Sequence, residues 1–127
     1  MVYERLVLLM HVLVLVLNNT QYLEDILNSL MAIGVKGATI LDSQGMGSKI
    51  LTQQYASSNL FGTLKTAFDR EHPYNKTIFT VIEDEELLHK AMETIKSVAG
   101  DLSKPGEGLM FTMPVGHVMG MAPDKKD

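Results

Sequence analysis

Residues 12–17 read Val-Leu-Val-Leu-Val-Leu and are therefore apolar on both of the alternating faces that a strand presents. A strand that avoids water on both sides needs cover on both sides, so it belongs in the interior of a sheet. The wider apolar run, residues 6–17, comes after Arg5 as the apolar part of a secretory signal would. It is shorter than the roughly 20 residues of a membrane helix, contains His11, and runs into Asn18-Asn19-Thr20 instead of a small-residue cleavage site. A buried central strand is the reading that remains.

Beyond Leu17 the chain alternates between helical and strand periods. Leu23, Ile26, Leu27, Leu30 and Met31 recur at helical spacing, with Asn19 or Thr20 expected as the cap, Glu24 and Asp25 in the first turn, and Gly34 at the end. Residues 35–43 predict a second strand. A long excursion, about residues 44–75, has weak periodicity except for Leu60, Phe61, Leu64 and Phe68, which predict a short helix inside it. Residues 77–82 are β-branched and aromatic, hence a third strand. The acidic run Glu83-Asp84-Glu85-Glu86 then suits the first turn of a helix continued by Leu87, Leu88, Ala91, Met92, Ile95 and Val98 and closed by Gly100. Residues 109–115 predict a last strand, with Pro114 placing it at a sheet edge. The order βαββαβ predicts an α+β, ferredoxin-like sandwich: a four-stranded antiparallel sheet, two helices on one face, and a long loop with its own short helix between strands 2 and 3.

Such a plan leaves one sheet face uncovered. The central strands are apolar on both sides, Val12, Val14 and Val16 opposing Leu13, Leu15 and Leu17, and Phe79 and Val81 opposing Ile78 and Ile82. Sheet-to-sheet oligomerisation is the expected cover. With 127 residues and 46% hydrophobic content, residues 1–127 are expected to form a single domain with a flexible C-terminal tail at about 122–127. A formal net charge of −4, with the acids interspersed, lacks the basic footprint of a nucleic-acid binder. The chain has no cysteine, which excludes disulfides and thiolate chemistry and suits a reducing cytoplasm.

Two glycine-punctuated turns are the candidate site. The first comprises Gly37, Ala38 and Thr39 with Gly45, Met46 and Gly47; the second is Pro105-Gly106-Glu107-Gly108. Closely spaced glycines admit a ligand or a neighbouring chain close to backbone amides. They also serve in tight turns with no ligand at all, and both readings stay open.

In the order and spacing of Gly34-Val35-Lys36-Gly37-Ala38-Thr39, Gly45-Met46-Gly47, Pro105-Gly106-Glu107-Gly108 and Phe111-Thr112-Met113-Pro114-Val115, the chain from about residue 12 to 121 resembles the nitrogen regulatory PII family. The resemblance implies a homotrimer that binds adenine nucleotides in clefts between subunits. The loop after the second strand, the T-loop, would contact a protein partner, for which a membrane-associated protein is one option, and the loop before the last strand, the B-loop, would wrap nucleotide phosphates. Carried over, the ligand-binding set is Gly37, Thr39, Gly45, Met46, Gly47, Ser48, Lys49, Gly106, Glu107 and Gly108.

The pattern is incomplete where charge matters. Leu109 stands in place of the family's B-loop lysine, and Ser48, Gly120 and Ala122 stand in place of its arginines. Each charge-assisted contact is worth about 1.5–3 kcal/mol, so an adenine nucleotide would be held with weakened phosphate contacts unless Lys49 or Lys104 substitutes. These residues fix no definite cofactor. Residues 57–68 read as an amphipathic helix that would serve as core satellite, lid or partner surface.

Other chemistry is less well supported. His11, His72, His89 and His117 lack metal-ligand spacing, and His11 reads as an interior histidine. Met110, Met113, Met119 and Met121 suit an adaptable surface. Ser43 and Ser48 have no identifiable histidine and acid partners, and no phosphate-loop motif is present. The expectation is a non-enzymatic, cytoplasmic PII-like trimer sensing a small-molecule effector. The alternative is a trimer with a decayed nucleotide site, serving in metal binding or as a scaffold.

Overall fold

The computed structural model describes residues 10–46, 74–104 and 106–121. Strand β1 (His11–Leu17) leads through a 3-10 turn (Thr20–Tyr22) into helix α1 (Leu23–Ala32), and then come β2 (Thr39–Gln44), β3 (Tyr74–Ile82), α2 (Glu85–Ala99) and β4 (Gly108–Pro114). The strands form one antiparallel sheet in the order β2-β3-β1-β4. This is the expected α+β, ferredoxin-like plan, with the apolar β1 inside the sheet and the proline-bearing β4 at its edge.

One face of the sheet carries the core. Leu13, Leu15 and Leu17 of β1 and Ile78 and Ile82 of β3 are buried against Ile26 and Leu30 of α1 and Leu88, Ala91 and Ile95 of α2. Full burial of each Leu or Ile contributes about 1.5–3 kcal/mol, so this layer is the principal source of stability. Thr80, also buried on that face, donates its hydroxyl to the Gly37 carbonyl. Asp84 caps α2, its Oδ1 accepting from the Leu87 amide at 2.7 Å, with Glu85 and Glu86 in the first turn. The acidic run is thus a helix start, as its position predicts.

The opposite face is apolar and open. Register places Val12, Val14 and Val16 of β1 beside Val81, Phe79 and Thr77 of β3 and Met113, Phe111 and Leu109 of β4. Leu109 is 57% exposed and Met113 48%.

Several local expectations are corrected. Neither Asn19 nor Thr20 caps α1 through its side chain: the 3-10 turn intervenes, and the Asn19 carbonyl accepts from the Tyr22 amide instead. Met31 is exposed, because the helix ends beside the sheet margin, where its side chain lines a shallow groove with Ile40. Residues 35–38 are a connector outside β2. The amides of Gly34 and Val35 still bond back to Met31 and Leu30 of the helix, which holds this segment away from the strand ladder. At its other end the ladder gains residues, since β3 begins at Tyr74 and pairs it with Gln44. The predicted short helix of residues 57–68 lies outside the described residues.

Candidate functional site

Sheet polarity divides the candidate residues between its two ends. β1 and β2 run toward one end, where Leu17 and Gln44 lie beside the first residues of β3 and β4. Gly45, Met46 and the second glycine turn gather there. Thr39 opens β2 opposite Phe79, and Gly37 lies farther toward the opposite end, beside Thr80. Six residues of extended chain separate Thr39 from Gly45, about 20 Å. Within one subunit the two groups therefore do not face each other. Gly47, Ser48 and Lys49 lie outside the described residues.

The second turn is tightly built. Asp101 accepts from the Ser103 amide at 3.0 Å and from its hydroxyl at 2.6 Å. Chiefly the hydroxyl and then the amide hold the Asp101 carboxyl below its ordinary range. The Lys104 amide bonds the Asp101 carbonyl, and the Glu107 amide bonds the Lys104 carbonyl. Gly106 and Gly108 have φ of +83° and +144°. A Cβ on Gly108 would sit 2.3 Å from the Val16 carbonyl oxygen, so only glycine lets β4 start this close to β1. Asn18 fastens the turn from the other side, its Nδ2 donating to the Gly106 carbonyl at 2.8 Å and its amide to the Glu107 carbonyl at 3.4 Å.

Asn75 stands between the turns. Its Nδ2 donates to Asn18 Oδ1 at 3.1 Å, its Oδ1 accepts from the Ser43 hydroxyl, and Ser43 Oγ lies 2.8 Å from Thr77 Oγ1. A Cβ on Gly45 would lie 3.9 Å from Asn75 Nδ2. Sequence reading missed Asn18 and Asn75. Two asparagines flanking predicted strands were the available signal, and asparagines in such places are ordinary turn residues.

At the other end, Gly37 lines two shallow cavities of about 190 and 200 Å³. One is shared with Lys36, Val81 and Met121, the other with the end of α1 and Ile40. Each is smaller than the roughly 300–1,000 Å³ typical of small-molecule sites. Lys36 pairs with Glu83 at 2.8 Å across this end. Of the positions where the resemblance expects cations, Leu109 projects onto the open apolar face and Gly120 has φ of +95°, while Ser48 and Ala122 lie outside the described residues. Among the described residues no three His, Asp or Glu side chains converge as metal ligands. Ser43 is engaged by an amide and a hydroxyl rather than by a histidine.

The fold recurs in solved structures. A PII protein of Arabidopsis thaliana bound to citrate has a TM-score of 0.55 at 18% identity, covering 84% of this chain and 78% of that one. A GlnK–ATP complex of B. subtilis has a TM-score of 0.54 at 20% identity, with coverage of 85% and 83%. A functionally unknown protein of Pediococcus pentosaceus has a TM-score of 0.57 at 14% identity, with coverage of 90% and 99%. No curated protein matches the sequence significantly. The family model for nitrogen regulatory protein P-II matches residues 11–125. With that match over most of its length and the ferredoxin-like sheet described above, the chain belongs to the nitrogen regulatory protein P-II family.

Proposed function

We propose that this chain is a homotrimeric, non-enzymatic signalling protein that senses a small molecule in clefts between subunits and regulates a protein partner through residues 44–75. The observation that carries the proposal is the separation of the two candidate groups on a sheet whose open face is apolar. Gly37 and Thr39 lie too far from Gly45 and the 106–108 turn for one small ligand to touch both in one subunit, and the cavities at Gly37 are undersized for a nucleotide. Packing the open faces of three copies together would bury Phe79, Phe111 and Met113, leave Leu109 at the rim beside the 106–108 turn, and bring one end of a sheet toward the other end of a neighbour's. The cleft so formed has a glycine lip from each side.

The ligand fits an adenine nucleotide held by apolar and backbone contacts with reduced grip on its phosphates. The GlnK–ATP and citrate-bound PII structures support an anionic effector of this general kind. Gly47, Ser48 and Lys49 follow Gly45 in sequence and belong by resemblance to the same ligand set. The lack of cysteine suits a cytoplasmic setting, and no helix among the described residues is long and apolar enough to cross a membrane.

Two measurements test this reading. Light scattering at micromolar concentration should give three times the mass of the chain, and a monomeric mass overturns the cleft. Thermal shift against ATP, ADP, AMP, cyclic dinucleotides, citrate and 2-oxoglutarate should single out at least one ligand, since a ligand that binds only the folded state raises stability by mass action. A flat panel with an intact trimer would instead favour a scaffold whose nucleotide site has decayed, the reading to which Leu109 and Gly120 point.

A further inference from the structure

The hydrogen bonds joining Gly106, Asn18, Asn75 and Ser43 have one possible direction. The Gly106 carbonyl can only accept, so Asn18 must turn its Nδ2 toward it. Asn18 then presents Oδ1 to Asn75, which must answer with Nδ2 and turn its own Oδ1 toward Ser43. Ser43 donates there. Ser43 Oγ also reaches the Asn75 carbonyl at 3.3 Å and Thr77 Oγ1 at 2.8 Å, the last a contact in which either hydroxyl can donate. Neither asparagine can flip without setting two acceptors or two donors face to face. Asn75 is 8% exposed, and no buried side-chain nitrogen or oxygen among the described residues lacks a partner.

We infer that Asn18 and Asn75 are positioning residues that couple the two glycine lips at this end of the sheet, so that ordering the 106–108 turn also orders the end of β2 at Gln44 and Gly45. From the Gly106 carbonyl, just ahead of β4, the chain of bonds runs through the side chains of Asn18, just past β1, and Asn75 of β3 to Ser43 of β2, parallel to the ladder. Its role in signalling rests on the reading proposed above: a ligand seated on the 106–108 turn would be felt at the residues where the 44–75 excursion begins. The coupling itself is a property of the ligand-free chain.

Hydrogen exchange on the ligand-free protein tests it. Asn75→Asp keeps the side-chain shape but places a carboxylate oxygen against Asn18 Oδ1, forcing Asn18 away from Gly106. Exchange at the Asn18 and Glu107 amides should accelerate about fivefold, the effect of losing one ordinary hydrogen bond. Coupling is reciprocal, so Asn18→Ala should accelerate exchange at the Gln44 and Gly45 amides, on the far side of Asn75. The Ile95 amide in α2 should be unchanged in both variants and reports that the core is intact. Unchanged exchange at Gln44 and Gly45 in folded Asn18→Ala overturns the inference, even if Asn75→Asp fails to fold. A wild-type protein that ignores every ligand in the thermal-shift panel would defeat the sensing proposal while leaving this coupling in place.

Discussion

The two glycine turns look alike as sequence and differ as structures. The second is conformationally locked: Gly106 and Gly108 have positive φ, the Val16 carbonyl fills the space a Cβ would need, and Asn18 bonds two of its carbonyls. The first, where described, is built without that constraint. Gly37 and Gly45 have no positive φ, and neither has an atom within 3.4 Å of a notional Cβ. Glycine content therefore marks a rigid lip in one case and a permissive one in the other. A rigid lip can present amides to a ligand without reorganising, whereas a permissive lip leaves room for change.

The largest expected effect tests that contrast directly. Gly108→Ala should destabilise the fold by about 3 kcal/mol or more in urea denaturation, because the clash is with backbone that cannot rotate away. A change below about 1 kcal/mol would show that the start of β4 yields, and the distinction between the lips would collapse.

The next test concerns charge. Leu109 comes directly after the rigid lip at the position where a lysine is expected by resemblance, so Leu109→Lys should tighten ATP binding by about tenfold or more in calorimetry, the worth of one charge-assisted contact. Unaltered affinity, with the trimer intact, would mean that this lip does not face phosphate.

Gly37→Ala is expected to lie within about 1 kcal/mol of the parent and to be stabilising if anything, since open space surrounds the site and alanine restricts the unfolded chain. A large loss would reveal a constraint on the permissive lip that its geometry does not show.

The smallest effect is acid sensitivity of the turn leading into the rigid lip. Asp101 is held ionised by Ser103, so its folded pKa lies below its unfolded value. Its contribution is complete above the ordinary carboxylate pKa near about 4 and fades as pH falls through the lower, folded value. Protection of the Ser103 amide, measured against its intrinsic exchange rate at each pH, should therefore fall only in acid, and Asp101→Asn should remove that fall. Loss of protection already near neutral pH would assign the effect to another group.

Much of the fold was legible because its strongest signals are local. The doubly apolar residues 12–17, the helical spacing through Ile26 and Leu30 and through Leu88, Ala91 and Ile95, and Pro114 at an edge each carry their reason in the side chains themselves. The errors fell where the outcome depends on what lies alongside. Val35 is β-branched and apolar, yet its amide bonds Leu30 and it finishes the helix. Met31 has the right spacing for the core, but near the end of α1 it stays exposed in a shallow groove beside Ile40 of the edge strand β2. Tyr74 and Asn75 have modest strand character and were drawn into β3 by pairing with Gln44 and Ser43.

The sequence by itself determined the order of elements, the two-sided apolar character of the central strands and the positions of both glycine turns, because composition and period are properties of neighbouring residues. Only the tertiary structure decided that Gly37 and Thr39 lie at a different end of the sheet from Gly45 and Gly106, that one glycine turn is rigid and the other permissive, and that Asn18 and Asn75 join β4 to β2. Those facts depend on strand register and on contacts between residues as distant in sequence as Val16 and Gly108, and no local pattern encodes them.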